Sequence, residues 1–185
     1  TWTNLTGQTV CKNCPTGQFG DNAGKTTINE ACSPCVTGQW NDVAGTDTCK
    51  SCPAGQFGDN AGQSTLDAGC SPCVTGQWND VAGTGSCKTC PAGRFGKASG
   101  QSTENAGCDD CALGQWTDLA GQIACKTCPK GRFGDQVGKI TEEAGCSDCP
   151  AGKWNNVTGQ DACSSCAAGK FGDTDAQESE ADGCK

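Results

Sequence analysis

Apolar side chains are sparse along this chain, and they occur singly rather than in runs long enough for a buried helix or strand. Leu, Ile, Val and Phe together number 19 among 185 residues, and Gly, Pro, Asn and Asp interrupt them every few positions. The interrupting residues favour turns with positive φ, and no helical periodicity is present. The pattern predicts irregular coil, in which segments such as QWNDVAG and QFGDNAG form short strands of two-stranded ribbons.

The aromatic residues reveal one repeated template in two lengths. The template reads Cys-x-x-Gly-x-aromatic-x4-Gly. It carries Phe in a long module, such as residues 14–32, and Trp in a short module, such as residues 35–49. Strict alternation of Phe and Trp favours packing inside each module over an exposed ladder for sugars, which is the alternative. The predicted module-core aromatics are Trp2, Phe19, Trp40, Phe57, Trp78, Phe95, Trp116, Phe133, Trp154 and Phe171.

The two lengths alternate with a period of 38 residues, which sets the predicted organisation of the chain. Residues 1–10 are the end of a truncated short module; the repeats are 11–48, 49–86, 87–124 and 125–162, with a partial fifth at 163–185. The first two repeats are identical at 28 of 38 positions. The second template Gly is missing only from the last long module, where Ala176 stands.

Composition alone would place this chain among disordered sequences, because its aliphatic and Phe content is about a tenth, well below the fifth that a core needs. The 19 cysteines change that conclusion, since they mark a disulfide scaffold. A net charge of −8 argues against nucleic-acid partners. No apolar run in the chain is long enough to span a membrane.

Nine Cys-x-x-Cys pairs and a final Cys184 allow two interpretations. Pairs separated by 17 residues match the spacing of a four-cysteine zinc ribbon. The alternative is disulfide bonds that close the gaps between pairs. Every gap carries the same template, whereas zinc ribbons would leave alternate gaps as unconstrained linkers, so disulfides are favoured.

Closing each gap by its own disulfide predicts nine sequential, uncrossed loops, each stabilising the fold by about 3 kcal/mol in the chain-entropy view. Cys11 has no partner in this segment. The predicted pairs are Cys14 with Cys32, Cys35 with Cys49, Cys52 with Cys70, Cys73 with Cys87, Cys90 with Cys108, Cys111 with Cys125, Cys128 with Cys146, Cys149 with Cys163, and Cys166 with Cys184.

Two sequons, at Asn4 and Asn156, predict N-glycosylation. Both lie two residues after a Trp, where the other short modules carry Asp42, Asp80 and Asp118, so this position must be exposed. The Asp21-to-Gly24 segment and the acidic tail are interpreted as solvated turns rather than calcium ligands. The chain has no His and no recognisable catalytic set, and we expect neither a cofactor nor enzyme activity.

The segments CPAGQFGDNAGQ and CSPCVTGQWNDVAGTGSCKTCPAGRFG resemble the ephrin-receptor-like cysteine-rich repeat, and the likeness extends over the whole chain. This family is similar to the single-disulfide modules of tumour-necrosis-factor receptors. The resemblance implies an extracellular array of such modules. The predicted fold class is a small disulfide-rich repeat protein, an elongated solenoid-like array of coil and short β-ribbon modules with little or no helix.

Three functions remain open at this point. The first is an extracellular structural glycoprotein, secreted or on the cell surface, forming a stalk, coat or filament in which each module touches only its neighbours. The second is a receptor-type ectodomain that binds a protein ligand, and the third is a zinc protein. Because the array is cut inside a module at both ends, we expect further repeats or self-association beyond them, with Cys11 oxidised in the assembled material.

Overall fold

The computed structural model describes Thr3, residues 11–22 and residues 24–185. The chain forms two compact units, one containing the described residues up to 88 together with 98–107, the other containing residues 89–97 and 108–185. Both units are built from the same two kinds of disulfide loop. The cysteines of a long module are 18 residues apart in sequence, and those of a short module are 14 apart.

A tight turn at the start of each module explains the first half of the template. In the module that begins at Cys52, the amide of Gln56 donates to the carbonyl of Pro53, which closes a four-residue turn. The third residue of that turn is Gly55, with a φ of +84°. A turn with positive φ at this place strongly favours glycine, and the aromatic residue then begins a strand.

Each of the eight modules between Cys14 and Cys163 contains one antiparallel hairpin that joins this strand to the residues at or after the closing cysteine. In the long modules of the described chain, the hairpins are β1 (Gln18–Gly20) with β2 (Cys32–Pro34), β5 (Gln56–Phe57) with β6 (Ser71–Pro72), β9 (Arg94–Gly96) with β10 (Cys108–Asp110), and β13 (Arg132–Phe133) with β14 (Ser147–Asp148). In the short modules they are β3 (Gln39–Trp40) with β4 (Lys50–Ser51), β7 (Gln77–Trp78) with β8 (Lys88–Thr89), β11 (Gln115–Trp116) with β12 (Lys126–Thr127), and β15 (Lys153–Trp154) with β16 (Ser164–Ser165).

Long modules also contain a single helical turn just before the closing cysteine. The helices are α1 (Ile28–Ala31), α2 (Leu66–Gly69), α3 (Glu104–Gly107), α4 (Glu142–Gly145) and α5 (Glu180–Gly183). A hydroxyl caps most of these turns: Thr65 Oγ1, for example, accepts from the amide of Ala68 at 3.2 Å. Such a cap satisfies one of the amides that a helix start leaves without a partner, so a helix of four residues can persist.

The buried interior consists of disulfides and small residues rather than large side chains. Ten cysteines are completely or almost completely buried, and glycines such as Gly55 and Gly69 lie beside them. In the first long module, Cys14, Ala31 and Cys32 form a buried cluster with Ile28 packed against it. The prediction of a small disulfide-rich repeat fold made of coil and short β-ribbons, with little helix, is confirmed.

The aromatic residues lie around this interior instead of at its centre. Trp78 is the most buried, with 9% of its surface exposed, and the others in the described chain are half-buried apart from Phe171. Phe171 is 63% exposed, so its assignment as a module core is wrong. Trp2 lies outside the described residues.

Candidate functional site: the junctions between modules

Nine disulfides close the modules in sequence, without crossing. They set the bounds of the modules, and the junctions between modules form the candidate functional site. The disulfides join Cys14 to Cys32, Cys35 to Cys49, Cys52 to Cys70, Cys73 to Cys87, Cys90 to Cys108, Cys111 to Cys125, Cys128 to Cys146, Cys149 to Cys163, and Cys166 to Cys184. Cys11 is free and exposed. Eighteen sulfurs committed to disulfides offer no thiolate to zinc, and the described residues contain no cluster of three or more metal-ligating side chains.

Backbone hydrogen bonds join each long module to the short module that follows it. The amide of Gly55 donates to the carbonyl of Asn79 at 2.7 Å, and the amide of Gly83 donates back to the carbonyl of Cys52 at 2.9 Å. A third bond runs from the Gly58 amide to the Thr84 carbonyl at 3.1 Å. Equivalent groups make the same three bonds in the modules that begin at Cys14, Cys90 and Cys128.

A second set of bonds joins short modules to the next long one; the modules that begin at Cys35 and Cys111 make three such bonds, and those that begin at Cys73 and Cys149 make the last two of them. Gly38 donates to the carbonyl of Gly58 at 2.8 Å, and Asn41 donates to that of Gln63 at 2.9 Å. In the return direction, Gly62 donates to the carbonyl of Cys35 at 2.8 Å. All six bonds use main-chain groups alone, so the junctions tolerate sequence variation wherever the backbone keeps its shape.

Contacts also extend past the adjacent module. A β-carbon added to Gly55 would overlap the carbonyl oxygen of Gly100, which belongs to the second module along. The same relation links Gly93 to Gly138. The expectation that each module touches only its neighbours is therefore wrong. The first template glycine leaves room for the backbone of the next module of its own kind.

A buried asparagine reinforces the junction from inside each of three short modules. The Nδ2 of Asn79, which is 1% exposed, donates to the carbonyl of Gln56 at 2.7 Å and to Thr84 Oγ1 at 2.6 Å. Its Oδ1 accepts from the amide of Val81 at 3.1 Å. Asn41 makes the same bonds to its own partners, and Asn155 makes two of them. A buried amide with all these partners positions one module against the other at no desolvation penalty.

Sequence reasoning missed this asparagine, because Asn was interpreted only as a turn residue. One signal was available: the residue directly after Trp is Asn in three of the four short modules that begin at Cys35, Cys73, Cys111 and Cys149. Thr117 stands there in the remaining one and is equally buried, at 1% exposed.

A lysine covers the ring of Trp in three short modules. Lys88 Nζ lies 4.7 Å from the ring centre of Trp78 and 2.6 Å from Asp80 Oδ1. The pairs Lys50 with Asp42 and Lys126 with Asp118 repeat this arrangement over Trp40 and Trp116. Hydrogen bonding from lysine lowers the pKa of each of these aspartates below its ordinary value. Cation–π contacts at exposed sites stabilise by about 0.5–1 kcal/mol, so each triad is a modest surface clamp.

The predicted glycosylation sites are placed as follows. Asn156 is exposed, on the turn after strand β15. Asn4 lies outside the described residues. Among the described residues there is no ligand-sized pocket, and none of their helices is long and apolar enough to cross a membrane.

Comparison with known families agrees with this geometry. The family described as "Tyrosine-protein kinase ephrin type A/B receptor-like" matches the chain in three successive stretches, residues 26–68, 61–105 and 96–144. No curated protein matches the sequence. The family is a cysteine-rich repeat module that itself has no catalytic function, and together with nine disulfides it indicates an extracellular protein. Because the matched stretches together span well over half of the 185 residues, the chain belongs to the ephrin type A/B receptor-like family of cysteine-rich repeats.

Proposed function

We propose that this chain is a structural glycoprotein, secreted or displayed at the cell surface, whose repeats build a stalk, coat or filament. The observation that carries the proposal is the pair of junctions described above. Each is made by two or three backbone hydrogen bonds, and both kinds recur in both compact units with little dependence on side chains. A rule for joining modules that ignores side chains can be repeated indefinitely, as a load-bearing or covering layer requires.

The surface supports the same reading. A ligand-binding site usually depends on a cluster of aromatic and Arg anchors in one place. Here the exposed charged pairs recur at equivalent positions, as in Lys50 with Asp42 and Lys88 with Asp80. Repetition without a single distinctive patch among the described residues suits self-association or continuation into further repeats, in which Cys11 forms a disulfide with a cysteine outside this segment.

The receptor-type ectodomain is the second candidate, favoured by the family's receptor-like description. Immunogold electron microscopy of the native source separates the two functions. A structural role predicts dense, continuous labelling along a surface layer or fibre, and a self-linked product when surface proteins are cross-linked. Sparse labelling, together with cross-linking to one other protein in equal amounts, would support the receptor function and overturn the structural one.

Thiol labelling gives an independent check on the native protein under denaturing conditions. The proposal predicts no free thiol, because Cys11 is oxidised and the other eighteen cysteines are paired. A free Cys11 in monomeric native protein would contradict assembly through this residue.

A further inference from the structure

In three short modules, the lysine that covers the Trp ring also contacts the aspartate two residues after the Trp. A side chain at the aspartate position therefore ends close to the face of the ring. In the short module of Trp40, Lys50 Nζ lies 4.7 Å above the ring centre and 2.6 Å from Asp42 Oδ1. The carboxylate of Asp42 therefore lies within hydrogen-bond distance of the ammonium group that occupies the space above the Trp40 ring. The modules of Trp78 and Trp116 have the same geometry.

The short module of Trp154 differs at both residues that fill this space. Asn156 replaces the aspartate, and Ser164 replaces the lysine. A serine side chain is too short to reach over the ring, and among the described residues no ammonium group lies over Trp154. The residue is half-buried and its Nε1 is buried without a hydrogen-bond partner, so the ring face that lysine covers in the other three modules lacks that cover here.

The two replacements act on the same ring face: one removes its lysine cover and the other places a glycan acceptor beside it. Asn156 begins the sequon Asn-Val-Thr, so the module that loses its lysine cover gains an acceptor for a glycan at the residue beside the uncovered face. The first sugar ring would be bonded directly to Nδ2 of Asn156. In the other modules, the lysine Nζ lies within hydrogen-bond distance of Oδ1 of the equivalent aspartate, so the sugar and the lysine begin close to the same place. Pyranose rings have an apolar C–H face that packs on the π-face of an aromatic ring, as other flat apolar surfaces do.

We propose that the first N-acetylglucosamine of a glycan on Asn156 stacks on the face of Trp154, in the place that lysine occupies in the other short modules. This inference rests on the proposed glycosylation of the chain. It applies to Asn156 alone, because the sequon at Asn4 is followed by Lys12 at the position equivalent to Lys50.

The experiment uses the full chain secreted from a eukaryotic host whose glycans can be trimmed enzymatically to one N-acetylglucosamine. Mass spectrometry gives the occupancy of Asn156, and NMR then reports the sugar protons. Stacking predicts upfield ring-current shifts of those protons and nuclear Overhauser contacts to the Trp154 indole. Sugar protons at the positions seen in the unfolded glycopeptide would overturn the stacking.

Two variants keep the tryptophan and the fold while changing only what covers the ring. Ser164→Lys restores the residue found in three other modules; it should compete for the face and return the sugar protons toward their free positions at equal occupancy. Ser164→Ala, the matched control, should leave the upfield shifts in place. Shifts that are the same in Ser164→Lys as in the unchanged chain would contradict the proposal.

A transplant tests whether these residues suffice. Asp118→Asn with Ala120→Thr creates a sequon beside Trp116, and Lys126→Ser then uncovers its ring. The triple variant should show the upfield shifts, and the double variant that keeps Lys126 should not. Equal sugar shifts in both variants would overturn the inference. An unoccupied Asn156 in the native protein would refute the glycosylation itself, which is a different failure from an occupied but unstacked sugar.

Discussion

Two hairpins at the same place in the repeat are held by different side chains. In the first unit, Gln56 of β5 lies opposite Pro72 of β6. In the second unit, the equivalent pair is Arg132 opposite Asp148, with Arg132 Nε 3.0 Å from Asp148 Oδ1, although its N–H is not aligned for a hydrogen bond. The same arginine donates through Nη1 to Glu142 at 2.9 Å and through Nη2 to the carbonyl of Cys146.

The backbone around these two hairpins does not share this difference. Gly55 donates to the carbonyl of Asn79 at 2.7 Å in the first unit, and Gly131 donates to that of Asn155 at 2.8 Å in the second. The comparison teaches that the repeat is specified by disulfides, glycines and main-chain bonds. Surface pairs can exchange between uncharged and ionic types without altering the junctions. The predictions below test the shared part first and the exchangeable part afterwards.

The largest effect is expected from the glycines that both units share. Gly55→Ala and Gly93→Ala place a β-carbon on a residue with φ above +80° and against the carbonyl oxygen of Gly100 or Gly138. Left-handed strain and overpacking together should lower the free energy of unfolding by about 2–5 kcal/mol. Urea unfolding of the oxidised protein, with hydrogen exchange to localise the loss, measures it.

The matched controls are Gly100→Ala and Gly138→Ala. These residues also have positive φ, +69° and +68°, but their β-carbons would meet only ordinary contacts at 3.7 Å. They should cost about 1–2 kcal/mol from strain alone. Equal losses at Gly55 and Gly100 would show that contact with the second module along does not matter.

The buried asparagine gives the next effect. Asn79→Ala removes three hydrogen bonds and leaves the Gln56 carbonyl without its side-chain partner, so it should cost about 2–3 kcal/mol. The double variant Asn79→Thr with Thr84→Gln copies the pair Thr117 and Gln122 of the second unit and should recover much of that loss. Thermal unfolding of the three proteins measures both. A double variant as unstable as Asn79→Ala would mean that the two kinds of short module are not interchangeable.

Much of the fold could be predicted because the repeated template marks the bounds of each module in the sequence. The template recurs in every gap between cysteine pairs, so loop closure and one ribbon per module follow from the sequence. The four-residue helices were missed because they are too short to show periodicity. A hydroxyl at the cap position, such as Thr65 or Ser179, was the available signal.

The junctions could not be derived from the sequence in the same way. Gly55 and Gly100 are 45 residues apart, and no local pattern tells which carbonyl a glycine faces. The burial of the asparagine could not be predicted either, because it depends on acceptors in the preceding module. The partners of a main-chain bond depend on how modules stack, a tertiary property that spacing alone does not encode.

A smaller effect is expected from the exchangeable pair that opened this comparison. Arg132→Gln removes the ion pairs to Asp148 and Glu142 and the hydrogen bond to the Cys146 carbonyl, and it should cost about 1–2 kcal/mol. Adding Asp148→Pro recreates the Gln56 and Pro72 pairing and should restore stability to within about 0.5 kcal/mol. A double-mutant cycle followed by urea unfolding tests this. A double variant that loses several kcal/mol would show that the second unit depends on its ionic hairpin.

The smallest effect concerns the lysine clamps, which the last complete short module lacks. Hydrogen bonding from Lys88 lowers the pKa of Asp80, so the folded state binds a proton there less readily than the unfolded chain. The stabilisation from this pair is complete above the unfolded pKa, near pH 4, and is lost as the pH falls through the lower folded value. Lys88→Ser copies Ser164 and should raise the pKa of Asp80 toward its ordinary value, whereas Lys88→Arg should keep it low. Carbon-13 NMR titration of the Asp80 carboxyl group reads this directly, and an unchanged titration in Lys88→Ser would show that the lysine is not the cause of the shift.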